Sequence, residues 1–150
     1  MSASHPFVSQ TVLDCRVPRV LAEFYRELLG YSYRPGDEPP APGEPDPRGE
    51  DWLVLRPDRD ARADGRGLAF QANAEYVAPV WTPGPDRPGD QQMMLHLDLT
   101  VPDRESLEAQ RARVLDLGGS ELYDRSDDPD EPLYVFADTS GHPFCIFVAD

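Results

Sequence analysis

Two side chains whose types could do chemistry stand in strand-like stretches of the second half of the chain. His96 occurs in LHLDLTVPD, residues 95–103, where Asp98 follows it, and Cys145 occurs in PFCIFV. A histidine can transfer protons, ligate a metal or hydrogen-bond a ligand at neutral pH. A cysteine in a strand is usually inert packing, and a Cys–His pair needs a third, orienting group, which the sequence does not identify. These residue types therefore indicate ligand binding, proton transfer or metal coordination.

The stretch around His96 is predicted to be a half-buried strand. Apolar residues at the odd positions 93–101 alternate with Met94, His96, Asp98 and Thr100. Strict alternation places successive side chains on opposite faces of a sheet. The odd positions form the predicted core face. His96 lies on the other face, where it meets either water or a site.

The remaining hydrophobic patterns predict the order strand, helix and three strands, twice over. In the first half we predict strands at 7–15, 31–34, 51–57 and 67–73, with a turn around Asp64 and Gly65. The first helix is predicted over 18–29, with Pro18 in its first turn and Gly30 ending it. In the second half we predict a helix over about 103–117, with strands around 121–124, 132–138 and 143–150. The apolar side of that second helix is formed by Leu107, Val114, Leu115 and Leu117. The fold class is α+β.

Two proline-rich segments interrupt these patterns. Residues 35–50 are predicted to be a loop and are a candidate lid, whereas residues 76–91 are predicted to be a linker that carries Trp81. The stretches VLDCRVP and HLDLTVP repeat across the two halves, and such a duplication indicates two similar modules. We therefore expect a single domain over 1–150, with module one at about 5–75 and module two at about 92–150.

The composition excludes several classes of function. The 28 acidic and 14 basic residues give a net charge of −14, which disfavours nucleic acid and anionic membranes as partners. No apolar run reaches the roughly 20 residues of a membrane span, and the first residues lack a signal-peptide pattern. The two cysteines are expected to be reduced thiols in a cytoplasmic protein. No phosphate loop, GxSxG, HExxH or CxxC motif occurs, which disfavours nucleotide hydrolases, α/β-hydrolases, zincins and dithiol redox proteins.

Four stretches of the chain carry a resemblance to a known superfamily. They are LDCRVPRVLAEFYRELLGY, GLAFQANAEYVAPVWTP, MLHLDLTVPDRESLEAQRARVLDLGG and ADTSGHPFCIF. Their order and spacing resemble the vicinal-oxygen-chelate superfamily of glyoxalases, extradiol dioxygenases and bleomycin-resistance proteins, and most narrowly its glyoxalase-like proteins. The resemblance implies two tandem βαβββ modules that form a curled mixed sheet around a cavity.

The resemblance also implies where a metal would bind. Enzymes of the superfamily hold one divalent metal with side chains from the first and last strands of both modules, and by position these places fall here on Gln10, Gln71, His96 and Cys145. Aligning the halves on their VP dipeptides places Val12 opposite His96 instead of Gln10, and Ala69 shares the face of Gln71. Such sites normally include glutamates, which this set lacks. We therefore expect no metal cofactor. A divalent metal is the less favoured alternative, in which Asp14 or Asp98, on the same face by parity, could substitute.

Residues and resemblance together favour a small-molecule-binding protein of the drug-sequestering type, without a metal. The expected ligand-binding residues are His96, Gln71, Gln10, Trp81, Met94, Cys145 and Phe147, and a flat aromatic ligand could stack on Trp81. The alternative is an enzyme of the same superfamily: a metal-dependent lyase, isomerase or dioxygenase, or a metal-free enzyme in which His96 moves a proton. We expect a homodimer, because members of the superfamily often pair modules between chains.

Overall fold

The chain divides into two units between Tyr76 and Val77, each with the element order β-α-β-β-β. The computed structural model describes residues 8–57, 65–81 and 93–149. The predicted α+β class with two tandem βαβββ modules is confirmed. Over these three ranges, no helix combines the length and the apolar character needed to cross a membrane.

The first unit is a four-stranded mixed sheet with one helix. Its elements are β1 Gln10–Cys15, α1 Pro18–Leu29, β2 Ser32–Tyr33, β3 Trp52–Arg56 and β4 Gly67–Ala72. The strand order is β1-β4-β3-β2, with β1 parallel to β4 and the other pairs antiparallel. Helix α1 has the predicted bounds, with Pro18 in the first turn and Gly30 closing it at φ +68°, a left-handed conformation that glycine adopts without strain. Strand β1 begins at Gln10 and not at the predicted position 7. Phe7 and the predicted turn residue Asp64 lie outside the described residues.

The helix of this unit covers one face of its sheet. The Tyr25 ring on α1 stacks over Phe70 with 5.9 Å between ring centroids, and Phe70 is paired with Leu53 across β4 and β3. All three side chains are buried, and each such burial stabilises the fold by roughly 1.5–3 kcal/mol. Since side chains alternate along a strand, Gln71 leaves β4 on the face opposite the helix.

The proline-rich segment 35–50 is tied to the sheet by a buried carboxylate. Asp37 is fully buried and accepts a hydrogen bond of 3.0 Å from the Val54 backbone N–H on β3. Its carboxylate also pairs with the Arg34 and Arg48 guanidinium groups at 2.9 and 3.1 Å. A buried charge with three partners holds its segment in place, because leaving any of them unpaired is costly. The segment is a loop, as predicted, and it has a fixed attachment at Asp37.

The second unit repeats the architecture. Its elements are β5 Leu97–Val101, α2 Arg104–Asp116, β6 Ser120–Arg125, β7 Leu133–Ala137 and β8 Pro143–Val148, with the strand order β5-β8-β7-β6. The Asp103 side chain caps α2 by accepting a bond of 2.7 Å from the Ser106 N–H. Only Leu107 and Val114 of α2 are buried. The prediction that Leu115 lies on the packed side is wrong, because it faces solvent and the helix contacts its sheet through a narrow stripe.

The strand that was expected to contain His96 begins just after it. β5 starts at Leu97, paired with Phe144, so His96 immediately precedes the strand. Leu95, predicted to lie on the core face, is 85% exposed. The β8 strand begins at Pro143, which has no N–H to extend the ladder. The alternation of apolar and polar residues therefore starts before Leu97, although the hydrogen-bonded strand starts only at Leu97.

The helix side of the second sheet is its aromatic side. Phe144 and Phe136 lie opposite each other on β8 and β7, with 5.6 Å between ring centroids. The neighbouring Tyr134 hydroxyl donates to Glu108 on α2 at 2.7 Å, which identifies the helix side. By alternation, Cys145 leaves β8 on the opposite face.

Candidate functional site

The ladders of the two modules have matching registers. Asp14 on β1 lies opposite Gln71 on β4, and Asp98 on β5 lies opposite Cys145 on β8. Two residues before Asp98 stands His96, and two residues before Asp14 stands Val12. The register therefore makes Val12, rather than Gln10, the module-one counterpart of His96.

Three potential donor side chains converge on one face of the second sheet. The ligand atoms of His96, Asp98 and Cys145 all lie within 4.8 Å of one another. His96 Nε2 is 3.2 Å from Asp98 Oδ1. The His96 and Asp98 side chains are 32% and 59% exposed, whereas Cys145 is buried at 7% exposure. The cluster thus has a buried floor and a solvent-accessible rim.

The Cys145 thiol is held in its protonated form. Burial raises the pKa of this thiol, and the Asp98 carboxylate adds to the rise by its charge and by accepting a hydrogen bond from the thiol, so that the pKa reaches about 11. Both causes disfavour a negative sulfur atom. Reactive cysteines have a lowered pKa, so this environment makes Cys145 a poor nucleophile in the free protein.

Trp81 forms an aromatic wall beside His96. The two rings meet edge to face with 5.0 Å between centroids and an interplanar angle of 75°. The chain is fixed next to this contact, because the Met93 N–H donates to the Val80 carbonyl at 3.0 Å. The tryptophan predicted to lie in the linker therefore packs against the predicted site histidine. We call Trp81, His96, Asp98 and Cys145 together the module-two site.

A tight turn supports the segment that carries Trp81. The buried Asp138 carboxylate accepts bonds from the Ser140 and His142 N–H groups at 2.8 and 3.0 Å, and it pairs with the His142 ring at 2.9 Å. The turn reaches Gly141, where φ is +91° and a β-carbon would come within 2.7 Å of the Ala78 β-carbon. Only glycine fits such a position. The turn thus packs closely against the chain three residues before Trp81.

The other predicted ligand-binding residues have varied environments. Phe147 is half-buried on β8, two residues after Cys145 and on the same face, opposite Thr100. Met94 is 90% exposed. Gln10 is half-buried at the start of β1, and Gln71 is exposed on β4, so both belong to the first unit.

Asp98 belongs to the site, although the sequence indicates it only as a substitute metal ligand. Its signal was the spacing HLD, which places the two polar side chains on one face of a strand, but an exposed strand aspartate is more often only solvated. Its counterpart Asp14 has a structural partner, because Asn73 Nδ2 donates to Asp14 Oδ2 at 2.9 Å. Asp14 and Asp98 therefore occupy matching register positions but have different partners, Asn73 for Asp14 and His96 for Asp98.

The four positions at which superfamily enzymes hold a metal do not fit a divalent ion as a set in this chain. Gln71 offers only a neutral amide, and the register counterpart of His96 is Val12, which has no donor atom. Only His96 and Cys145 offer an imidazole or a potentially anionic donor, so two of the four positions lack one. Such a set is poor for Zn²⁺ and worse for Mg²⁺. His96 and Cys145 belong to those four positions, and Asp98 lies beside them within module two.

Comparison with known proteins gives the same family as the fold. A model of the glyoxalase-like domain matches residues 10–147, and no curated protein matches the sequence. The chain is similar in fold to a glyoxalase/bleomycin resistance protein/dioxygenase family enzyme from Burkholderia phytofirmans PsJN, with 12% identity and a TM-score of 0.63 over 95% of this chain and 98% of that one.

Two further solved structures are similar. One is the genomically encoded fosfomycin resistance protein FosX from Listeria monocytogenes, with 9% identity, a TM-score of 0.60 and coverage of 100% and 96% of the two chains. The other is a glyoxalase-related enzyme from Fulvimarina pelagi, with 19% identity, a TM-score of 0.58 and coverage of 95% and 87%. At these identities the likeness shows the fold alone. Because the domain model spans nearly the whole sequence, the chain belongs to the glyoxalase-like domain family, within the vicinal-oxygen-chelate superfamily.

Proposed function

We propose that this protein binds a small aromatic molecule, neutral or cationic, at the module-two site. The observation that carries the proposal is the edge-to-face contact of Trp81 with His96, 5.0 Å between ring centroids, next to the exposed rim of Asp98. Small-molecule sites typically combine aromatic walls with a few polar groups that fix orientation. Here Trp81 is the wall, and His96 and Asp98 are the polar anchors.

The charge of the site favours neutral or cationic ligands. Asp98 presents a carboxylate that is 59% exposed, and the whole chain carries a net charge of −14. A negative field lowers the local concentration of anions and raises that of cations. A cation can also interact with the face of an indole ring such as that of Trp81.

The contacts of Cys145 favour binding over nucleophilic catalysis. In a Cys–His pair the imidazole takes the thiol proton, and a third group orients the imidazole. In this site the carboxylate of Asp98 hydrogen-bonds the thiol of Cys145 and keeps it protonated. Asp98 therefore acts against formation of a thiolate in the free protein.

The names of similar proteins support a role in resistance to a toxic molecule. FosX from Listeria monocytogenes and from Mesorhizobium loti are fosfomycin resistance proteins, and a structure from Albidiferax ferrireducens T118 is a glyoxalase/bleomycin resistance protein. We extend to this chain only a general role in resistance, and we propose that it acts by sequestering a small molecule.

Dye titration tests this proposal. The planar cationic dye proflavine is titrated into a Trp52→Phe variant, in which Trp81 is the remaining tryptophan, and tryptophan quenching is followed. We expect saturable quenching with one dye per chain, and about tenfold weaker binding in Asp98→Asn, the change that 1.4 kcal/mol produces. The anionic dye 1-anilinonaphthalene-8-sulfonate should bind more weakly than proflavine.

The matched control is Asp14→Asn, at the same register position of module one. It should leave proflavine binding unchanged. Equal loss of binding in Asp14→Asn and Asp98→Asn, or no loss in Asp98→Asn, would contradict the proposed site. Trp81→Leu leaves no tryptophan in this background, so its binding is followed by the fluorescence of proflavine itself, and unchanged binding there would also contradict the site.

One observation favours a second function, proton transfer by His96. If Asp98 accepts the Nε2–H of the imidazole at 3.2 Å, the neutral ring keeps the Nδ1 lone pair for a substrate proton. The test is deuterium exchange into dihydroxyacetone in D₂O, followed by NMR. Catalysed exchange that is lost in His96→Gln supports this function, and exchange at the uncatalysed rate rejects it for ketones of this type.

A further inference from the structure

We propose that Arg34 and Arg48, at the proline-rich loop of module one, form a binding site for a phosphate group. The ligand class is inorganic phosphate or a small soluble phosphate monoester. Both arginines belong to the first unit, whereas the module-two site belongs to the second. The inference therefore does not rest on the proposed function.

One buried carboxylate brings the two guanidinium groups together. Asp37 is fully buried, and its Oδ1 accepts hydrogen bonds from Arg34 Nη2 at 3.2 Å and from Arg48 Nη1 at 3.1 Å. Because both bonds end on the same oxygen atom, the guanidinium groups lie side by side. Two neighbouring cations repel each other, and the carboxylate compensates only one of them.

The backbone of each arginine is attached to the first sheet. The Arg34 N–H donates to the Val54 carbonyl of β3 at 2.9 Å. The Arg48 carbonyl accepts bonds from the Asp51 and Trp52 N–H groups at 3.1 and 3.0 Å, directly before and at the start of that strand. Groups held in this way lose little conformational entropy when a ligand binds. The pair is therefore already arranged before a ligand arrives.

Most hydrogen-bond donors of the pair remain available. A guanidinium group has five N–H donors, and Asp37 engages a single nitrogen of each arginine. Within the part of the chain that the structure describes, neither guanidinium bonds any other protein group. The Arg34 and Arg48 side chains are 34% and 60% exposed. Because the planar fork of arginine matches the oxygen atoms of phosphate, the exposed donors suit an oxyanion.

The charges around the pair favour phosphate over simple monovalent ions. The two guanidinium groups exceed the shared carboxylate by one positive charge. Arg19 also donates to the Asp37 backbone carbonyl at 2.8 Å, but Asp46 neutralises it at 2.7 Å. The nearby carboxylate of Glu38 accepts a bond from the Gly36 N–H at 2.7 Å. Since the chain as a whole carries a net charge of −14 and repels anions at long range, binding requires several short charge-assisted hydrogen bonds, which chloride does not match.

A chemical-shift titration tests the site. Inorganic phosphate is added to uniformly ¹⁵N-labelled full-length protein, with sodium chloride at the same ionic strength as the reference. We expect saturable shifts at the Arg34, Asp37 and Arg48 amides. Arg48→Gln should weaken phosphate binding at least about tenfold, because it removes charge-assisted hydrogen bonds. A parallel titration with glycerol 3-phosphate distinguishes the two sources: binding of both supports a site for phosphate monoesters, and binding of inorganic phosphate alone supports a site for the free ion.

Two further variants separate this site from a general effect of charge. Arg16→Gln is the matched control, because it removes the same charge from an exposed arginine of the same unit, whose Nη2 donates to the Tyr76 carbonyl at 3.3 Å. It should retain the phosphate affinity. Arg48→Lys keeps the charge beside Asp37 but replaces the planar fork with an ammonium group. Its affinity should lie between those of the wild type and Arg48→Gln, and an unchanged Val54 amide signal verifies that the loop stays anchored in both variants.

Three results would overturn the proposal. They are the absence of saturable shifts with phosphate, unchanged affinity in Arg48→Gln, and equal losses of affinity in Arg16→Gln and Arg48→Gln. Proflavine titration of Arg48→Gln distinguishes the two proposals, because we expect this variant to lose phosphate binding and to retain dye binding. Failure of the wild type to bind proflavine, with phosphate binding intact, would refute the proposed function alone.

Discussion

Replacing Asp98 with asparagine should make Cys145 more reactive. The Cys145 thiol has a pKa raised from 9.0 to about 11, mainly by burial and in addition by Asp98. Asparagine has nearly the same shape as aspartate but no charge. The substitution therefore removes the electrostatic cause and leaves burial in place, so the pKa falls and the thiolate fraction rises.

The size of the effect follows from distance and exposure. A unit charge within 4.8 Å of the sulfur interacts by about 1 kcal/mol even at the dielectric constant of water, and Asp98 is 59% exposed, so strong screening applies. With the hydrogen bond to the thiol added, we expect about 1–2 kcal/mol, or about a tenfold larger thiolate population. The full change of the pKa from 9.0 to about 11 sets an upper limit of about a hundredfold.

Alkylation by iodoacetamide at pH 8, quantified at each cysteine by mass spectrometry, measures this effect. The rate at Cys145 should rise about tenfold in Asp98→Asn, since the thiolate is the reacting species. Cys15 serves as the internal control, because it is fully buried in the first unit with its Sγ 3.7 Å from the Gln71 carbonyl oxygen. An unchanged or slower rate at Cys145, with Cys15 constant, would refute the electrostatic account. Equal acceleration at both thiols would instead indicate general opening of the fold.

Three further predictions concern the elements around the site. Gly141→Ala should lower the melting temperature and alter Trp81 emission, because a β-carbon would meet Ala78 at 2.7 Å in a left-handed turn; an unchanged spectrum and melting temperature would contradict the packing of this turn. Asp37→Ala should destabilise the fold by about 3 kcal/mol in urea unfolding, because the buried Val54 N–H loses its acceptor and Arg34 loses its ion-pair partner. A loss below about 1 kcal/mol would show that the loop is not anchored there. Leu95→Gln should change the free energy of unfolding by less than about 0.5 kcal/mol, since Leu95 is 85% exposed. A larger loss would mean that β5 begins before Leu97.

Periodicity made the main elements predictable. Helix α1 was located residue for residue, because its apolar stripe is framed by Pro18 and Gly30, whose backbone preferences fix the ends. The module repeat was visible because both halves have the same pattern of strands and turns around their VP dipeptides. Such features depend on local chemistry, which a single sequence contains.

Features that depend on neighbouring strands were not predictable in this way. The start of β5 is set by its pairing with Phe144 next to Pro143, so the alternating pattern placed Leu95 wrongly in the core. The contact of Trp81 with His96 joins residues separated by a segment without a periodic pattern. The contact of Asp98 with Cys145 follows from their register on neighbouring strands, which spacing within one strand does not reveal.

Chemical-shift mapping tests the central claim most directly, namely that ligands bind at the module-two site. Proflavine is added to uniformly ¹⁵N-labelled protein, and the backbone amides and both tryptophan indole N–H signals are followed. The account predicts the largest shifts at the Trp81 indole and at the amides of His96 and Asp98, with the Trp52 indole unmoved. Shifts centred on Trp52 and the first unit, with Trp81 and His96 unaffected, would contradict it.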